Sequence, residues 1–142
     1  MSPAPAVARP RVLLVEDDRD VREALRDLLE ETNIEVVGEA GDGVQGLEMA
    51  RQRTPDVVLM DLRMPVMGGL EASRRLKGEM PLVQVVILTA YDDPALKDDA
   101  TSAGVYAYLV KGCSPRMLGE VTIQAWEMKR ALEAQKPSGP NL

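Results

Sequence analysis

A chain of 142 residues corresponds to one domain of ordinary size, long enough to bury a core without disulfides or structural metals. Its 17 basic and 23 acidic residues give a net charge of −6, which argues against nucleic-acid or anionic-membrane binding by this domain itself. The chain has no histidine, which excludes His-based triads and most zinc sites. Its one cysteine cannot form an internal disulfide, which is typical of the reducing cytoplasm.

Five short apolar runs punctuate the chain. Most are continuous rather than alternating, as in strands that are buried on both faces of a sheet. We predict strands at Val12–Val15, Ile34–Val37, Val57–Met60, Val83–Leu88 and Val105–Val110. None of these runs approaches the length of about 18 residues that a membrane span needs.

Amphipathic stretches lie between the predicted strands. The first carries an apolar stripe at helical spacing, and Asp20 with Glu23 fits a capping box. Its stripe consists of Val21, Ala24, Leu25, Leu28 and Leu29. A second helix is predicted to start near Asp42, with Gln45 three residues on, at the position that matches Glu23 in the capping box. A third is predicted after Gly68-Gly69, running through Leu70 and Leu76. A fourth is predicted after Pro94, with Leu96, Ala100 and Ala103 facing inward. The last is predicted from Ser114-Pro115, burying Met117, Leu118, Val121, Ala125, Met128 and Leu132.

Strand and helix therefore alternate five times. Such alternation implies parallel strands joined by right-handed crossovers, and a (β/α)8 barrel would need about 250 residues. We predict an open, doubly wound α/β fold. In such sheets, ligands bind beyond the carboxyl ends of the strands.

Charged and hydroxyl side chains follow four of the five predicted strands. They are Glu16-Asp17-Asp18, Asp61, Thr89-Ala90 and Lys111. Taken singly, Asp18 or Asp20 is most readily explained as a helix cap, but the four strand ends together form a pattern. Two carboxylates about 4 Å apart repel by roughly 4 kcal/mol at an effective dielectric near 20, so the cluster needs cations. Lys111 and Mg2+ would supply them, and the set suits phosphoryl transfer to a carboxylate.

At these residues the sequence resembles the receiver domain of bacterial two-component response regulators, most closely the NarL-like (LuxR-type) subfamily. The resemblance covers about residues 11–134. It lies in VLLVEDD at 12–18, PDVVLMDLRMPVMGG at 55–69, VVILTAYDD at 85–93 and AGVYAYLVKGCSP at 103–115. It implies a flavodoxin-like (βα)5 fold with a five-stranded parallel sheet in the order 2-1-3-4-5.

The resemblance also implies a role for each residue of the pattern. Asp61 would accept a phosphoryl group from a sensor histidine kinase. Mg2+, or Mn2+ in its place, would be bound by Asp17, Glu16, Asp61 and the backbone carbonyl of Arg63. The phosphoryl group would contact Thr89, Ala90 and Lys111, with Pro65 and Gly68 shaping the loop after Asp61. Thr89 and Tyr108 would form the switch, and Arg63 and Tyr91 would tune the phosphoryl lifetime.

Several expectations about the whole protein follow. Residues 1–10 are predicted to be a disordered N-terminal tail, and 135–142 a flexible C-terminal tail or the start of a linker. Regulators of this subfamily continue into a helix-turn-helix DNA-binding domain that controls transcription, and that domain is not in this chain. Phosphorylation would switch the face formed by the fourth helix, fifth strand and fifth helix, with homodimerisation through the last helix, where Ile123 and Trp126 lie off the buried stripe.

Two features depart from the family or leave a choice open. Gly112 follows Lys111 where many receivers have proline, which leaves the peptide geometry there undetermined. The chain would act either with a transcriptional output domain or as a stand-alone receiver working through protein contacts or a phosphorelay. In either case we predict a phosphoacceptor that is not a turnover enzyme.

Rival functions fit the residues less well. A haloacid-dehalogenase-type phosphohydrolase would need a second aspartate two residues after its nucleophile, where this chain has Arg63. A flavodoxin-like electron carrier would need a hydroxyl- and glycine-rich loop after the first strand, but Glu16-Asp17-Asp18 would repel the FMN phosphate. A receiver-like interaction module that is never phosphorylated would not need the complete set of acidic, hydroxyl and lysine residues.

Overall fold

The computed structural model describes residues 8–135 and contains five parallel strands in one sheet. The strand order is β2-β1-β3-β4-β5, so the predicted flavodoxin-like topology is confirmed. The strands are β1 (Arg11–Val15), β2 (Glu35–Ala40), β3 (Val57–Met60), β4 (Gln84–Thr89) and β5 (Ala107–Val110). The expectations for residues 1–7 and 136–142 lie outside the described residues. Pro10, which the prediction assigned to the N-terminal tail, is buried, and its carbonyl accepts a hydrogen bond from Glu35 N at 2.9 Å.

A helix follows each strand, as predicted. The helices are α1 (Arg19–Glu31), α2 (Gly43–Arg53), α3 (Gly69–Glu79), α4 (Pro94–Ser102) and α5 (Pro115–Gln135). Proline opens both α4 and α5, where its missing N–H is not needed. None of the helices described for residues 8–135 combines the length and the hydropathy that a membrane-spanning segment requires.

The helix caps agree with the predictions at α2 and α5, and at α1 Asp18, one of two predicted cap candidates, is confirmed as the cap. Asp42 accepts a hydrogen bond from Gln45 N at 2.8 Å, and Ser114 Oγ accepts one from Met117 N at 3.1 Å. The predicted capping box at Asp20 and Glu23 is wrong, because the N-cap is Asp18, whose carboxylate accepts from the N–H groups of residues 20 and 21. The helix thus begins two residues closer to β1, and the loop between them is short.

Alternate residues of the central strands pack into two separate hydrophobic cores, one on each face of the sheet. Leu13, Val58, Val85 and their neighbours pack with α2, α3 and α4, whereas Val12, Leu59 and their neighbours pack with α1 and α5. Because both faces are covered, these strands carry no polar side and appear in the sequence as continuous apolar runs.

The buried stripe of α5 is narrower than predicted. Leu118 and Ala125 are buried, and Val121 and Leu132 are half-buried, but Met117 and Met128 are 48% and 42% exposed. Thr122 lies in the stripe instead, fully buried, with its hydroxyl donating to Leu118 O at 2.7 Å. One side of the helix packs on the sheet, which covers a narrower arc than the apolar residues of the helix span. Ile123 and Trp126 are half-buried, and Trp126 packs against the α1–α5 core.

Other predicted inward positions are mostly confirmed. In α1 only Leu29 is fully buried, Val21, Leu25 and Leu28 are half-buried, and Ala24 is exposed, so its inclusion in the stripe was wrong. Leu76, Ala100 and Ala103 are buried, and Leu70 and Leu96 are half-buried. The described residues contain no cis peptide bond, and Gly112 has a φ of +99°, a left-handed conformation that glycine tolerates. The Lys111–Gly112 peptide is therefore trans.

Candidate functional site

The carboxyl ends of β1 and β3 bring three carboxylates together. Oxygens of Glu16, Asp17 and Asp61 all lie within 4.8 Å of one another. Glu16 and Asp61 are buried, whereas Asp17 is exposed and faces solvent from the rim. The parallel sheet accounts for this convergence, because adjacent β1 and β3 run in register and end at the same edge. The predicted acidic cluster is thus present in the fold.

Lys111, just after β5, reaches back to this cluster. Its Nζ lies 3.0 Å from Asp61 Oδ2 and also forms an ion pair and hydrogen bond with Glu16 Oε1. The Lys111 N–H donates to Thr89 O at 2.7 Å, which ties the end of β5 to the end of β4. One lysine thus bridges two buried carboxylates that the sheet forces together.

Burial and pairing act on the pKa values in opposite directions. Burial raises the pKa of Glu16 above its usual range, and the hydrogen bonds from Lys111 and from Asp18 N only partly oppose this. Burial lowers the pKa of Lys111, but the hydrogen bonds to Glu16 and Asp61 outweigh it, so the pKa is raised and the ammonium stays charged. Glu16 therefore takes up a proton more readily than a free glutamate does.

The charge balance of the cluster fits a divalent cation. Three carboxylates meet one ammonium, so a formal charge of −2 is left over when all three are ionised. A hard divalent ion prefers carboxylate and carbonyl oxygens and keeps several waters, which the exposed side of Asp17 would admit. The donor set of Glu16, Asp17 and Asp61 therefore fits Mg2+. The role of the Arg63 carbonyl stays a prediction.

A glycine holds the backbone of Asp61 close to the start of α3. A Cβ at Gly69 would lie 2.0 Å from the Asp61 carbonyl oxygen, so any other residue would displace the loop. The resemblance implied that Gly68 shapes the loop after Asp61; a Cβ at Gly68 would be 3.1 Å from Leu62 O, a tighter than usual but far less severe contact. Gly69 is the residue that the site requires, and only the three-dimensional packing identifies it.

The loop after Asp61 turns sharply at Pro65. Met67 N donates to Pro65 O at 2.7 Å, and the intervening Val66 has a φ of +68°. A three-residue turn of this hand is strained, most of all for a β-branched residue. The turn returns the chain to Gly68, so Pro65 contributes to the loop as the resemblance implied.

The remaining predicted residues lie around the same edge. Thr89 is fully buried, and its Oγ1 accepts from Tyr91 N at 3.4 Å, whereas Ala90 is exposed. The Arg63 guanidinium carbon lies 4.4 Å from the centre of the Tyr91 ring, and the Tyr108 hydroxyl donates to the Tyr91 carbonyl. Arg63 and Tyr91 therefore form one exposed stack beside the acidic cluster, and Tyr91 links it to Tyr108.

Comparison with known proteins agrees with this architecture. A family model described as the response regulator receiver domain matches residues 12–122. The chain belongs to this family. Receiver domains bind Mg2+ through an acidic pocket and are phosphorylated by histidine kinases as part of two-component systems.

The relatives include transcriptional regulators. The transcriptional regulatory protein PdtaR of Mycobacterium tuberculosis is 40% identical over 108 residues, which cover 76% of this chain and 52% of PdtaR. The response regulator UvrY of Escherichia coli is 41% identical over 106 residues, covering 74% of this chain and 49% of UvrY. The chain thus spans about half the length of the curated relatives it matches.

Solved structures agree with the receiver fold and subfamily. A LuxR-family two-component response regulator from Aurantimonas sp. SI85-9A1 aligns with a TM-score of 0.78 and 29% identity, covering 91% of this chain and all of that one. The predicted likeness to NarL-like (LuxR-type) receivers is confirmed.

Proposed function

We propose that this receiver accepts a phosphoryl group from the phosphohistidine of a sensor histidine kinase on Asp61, in a Mg2+-dependent step. The observation that carries the proposal is the buried carboxylate of Asp61, flanked by two further carboxylates and bonded to Lys111. We also propose a cytoplasmic location.

In the proposed reaction, an oxygen of the Asp61 carboxylate attacks phosphorus in line with the phosphorus–nitrogen bond of the phosphohistidine. A phosphorus–oxygen bond forms, the phosphorus–nitrogen bond breaks, and its electron pair leaves on the imidazole. Lys111 holds a phosphoryl oxygen, since its ammonium already lies 3.0 Å from Asp61 Oδ2. Glu16, Asp17, Asp61 and the Arg63 carbonyl would hold Mg2+, or Mn2+ in its place, and the bound ion would supply charge that offsets the repulsion between these carboxylates and the phosphoryl group.

The acyl phosphate acts as a switch through Thr89 and Tyr108. Phosphorylation adds about two negative charges, which draw the Thr89 hydroxyl and the Ala90 N–H towards the new oxygens. Tyr91 N loses its 3.4 Å bond to Thr89 Oγ1, and the Tyr91 carbonyl that Tyr108 contacts moves with it. Tyr108 then repacks, which changes the face formed by α4, β5 and α5.

The output of this switch lies in a partner or in a second domain. The relatives that are about twice as long are named transcriptional regulatory proteins, which favours a DNA-binding output domain over a stand-alone receiver. The chain is then a phosphoacceptor and not a turnover enzyme, since each phosphorylation consumes its own Asp61 until the acyl phosphate hydrolyses.

The test is intact-mass spectrometry after incubation with acetyl phosphate. We expect one phosphoryl adduct in the presence of Mg2+ and none in EDTA. An unchanged mass with Mg2+, for protein shown to be folded by circular dichroism, would contradict the proposal.

The stack of Arg63 and Tyr91 is expected to slow hydrolysis of the acyl phosphate by restricting water. Replacing both with alanine removes the stack but leaves the Tyr91 carbonyl that Tyr108 contacts. We expect the dephosphorylation rate to rise by up to about ten-fold, which corresponds to about 1.4 kcal/mol in the barrier. The rate is measured by the decay of the phosphorylated mass, with Arg74→Ala, another exposed arginine, as control. Equal decay rates in the double variant and the control would refute the role.

Phosphorylation is expected to promote homodimerisation through α5. Met117 and Met128 are exposed and eleven residues apart, which places them on one side of the helix three turns apart. Analytical ultracentrifugation with beryllofluoride, which mimics the phosphoryl group, should show a shift from monomer to dimer that Met128→Lys weakens. A monomer at every concentration with beryllofluoride would count against this surface.

A further inference from the structure

Arg22 of α1 contacts the loop that carries two of the three acidic residues. Its Nη1 donates to the Glu16 carbonyl at 2.7 Å, and its Nε lies 3.4 Å from Glu39 Oε1 on β2. The side chain is only 21% exposed. We propose that Arg22 is a positioning residue of the divalent-cation site, holding the backbone from which Glu16 and Asp17 extend. The inference rests on the proposed function, because it assumes that this cluster binds the ion.

The backbone of Glu16 is held from both sides. Its N–H donates to Ala40 O at 2.9 Å, at the end of β2, while its carbonyl accepts from Arg22. That carbonyl belongs to the peptide group that leads into Asp17, whose exposed side chain has little packing of its own. The Arg22 hydrogen bond therefore sets the direction in which Asp17 leaves the strand.

The arginine is placed for the loop rather than for Glu39. Its buried Nε makes no hydrogen bond within residues 8–135, and the contact with Glu39 is a loose ion pair. An unpaired buried donor is costly, so this orientation is explained by the contact that Nη1 gains at Glu16. Arg22 N in turn donates to Asp18 O at 2.9 Å, so the loop and the first turn of α1 hold each other.

Arg26 provides a matched control one turn along α1. It binds the same Glu39, with Nη1 2.9 Å from Oε2, but makes no hydrogen bond to the β1–α1 loop within the described part of the chain. Both arginines carry one positive charge and form an ion pair with Glu39. On charge alone, removing either would strengthen cation binding, whereas loss of positioning would weaken it. For Arg22, the charge explanation and the positioning explanation therefore predict opposite changes in cation affinity.

The experiment compares the Mn2+ dissociation constants of wild type, Arg22→Met and Arg26→Met by electron paramagnetic resonance of the free ion. We expect Arg22→Met to bind about ten-fold more weakly than wild type, as is usual when a residue supporting a metal ligand is removed. Arg26→Met should bind as well as wild type or better. Urea unfolding in EDTA compares the stabilities of the two variants. Arg22→Lys keeps the positive charge but lacks the planar guanidinium group, and it should also bind Mn2+ more weakly than wild type.

Each outcome bears on one hypothesis. If wild type binds Mn2+ and Arg22→Met binds it equally well, the positioning role is overturned and the proposed function stands. If wild type does not bind Mn2+ at all, the proposed function itself fails. If Arg22→Met does not fold, Arg22→Lys decides, and wild-type affinity in that variant overturns the inference.

Discussion

The Asp61→Asn variant is expected to gain no phosphoryl group from acetyl phosphate under conditions in which the wild type gains one. The amide is close in shape to the carboxylate but is not a nucleophile at neutral pH. Asp61 is the buried carboxylate that Lys111 contacts at 3.0 Å, so in the proposed reaction the attacking oxygen and the phosphoryl oxygens would lie beside this ammonium. Intact mass spectrometry of the two proteins, in parallel with Mg2+, measures the effect as all or none.

A matched control is available in the same loop region. Asp18→Asn removes one exposed charge near the site but keeps the cap of α1, because asparagine caps a helix about as well as aspartate. It should take up the phosphoryl group as the wild type does. An adduct on Asp61→Asn, mapped to Glu16 or Asp17 by fragmentation, would show that the acceptor has been assigned to the wrong carboxylate.

The strands of the central sheet could be predicted well from the sequence because burial on both faces leaves a clear signal. The observed β3 has the predicted bounds, β1 begins one residue earlier than predicted, and β4 begins and ends one residue later. The edge strand β2 was predicted to end at Val37 but continues to Ala40. Its register against β1 shifts after Val12, so that Leu13 pairs with Gly38, and pairing of this kind depends on the neighbouring strand rather than on local pattern.

The helix surfaces show where local pattern is insufficient. Apolar spacing alone placed Met117 and Met128 of α5 inside, but the sheet covers only the arc around Leu118 and Ala125. The sequence left both Asp18 and Asp20 open as the cap of α1. Both residues are good caps by type, and in the folded chain it is the Asp18 carboxylate that accepts from the N–H groups of residues 20 and 21.

The acidic cluster could be predicted because one rule, ligand binding at the carboxyl ends of parallel strands, combines residues far apart in the chain. The residues that support the cluster could not. The need for Gly69 arises from a backbone approach to Asp61, and Arg22 reaches Glu16 across a loop whose path the sequence does not specify. Neither this glycine nor this arginine is distinguished by the sequence around it, and only their contacts in the folded chain identify their roles.

Replacing Lys111 with methionine is expected to destabilise the ion-free protein by about 2 kcal/mol and to make its stability strongly dependent on Mg2+. The substitution leaves Glu16 and Asp61 close together, buried and without their shared cation. Breaking a fully buried pair costs about 3–5 kcal/mol, and the loss here is smaller because the Lys111 side chain is 27% exposed. Urea unfolding in EDTA measures this loss.

Lys129→Met is the control. It distinguishes loss of the positive charge at the acidic cluster from loss of any partly buried, paired lysine. Lys129 is 17% exposed and pairs with Asp56 at 2.9 Å and with Glu133 at 2.7 Å, at the opposite edge of the sheet. Both variants should be less stable than wild type in EDTA. Mg2+ should raise the free energy of unfolding of Lys111→Met by more than it raises that of Lys129→Met. A ligand stabilises a protein by binding to its folded state, and in Lys111→Met the ion also replaces the missing positive charge. Equal Mg2+ stabilisation of the two variants would mean that Lys111 and the divalent ion do not compensate the same carboxylates.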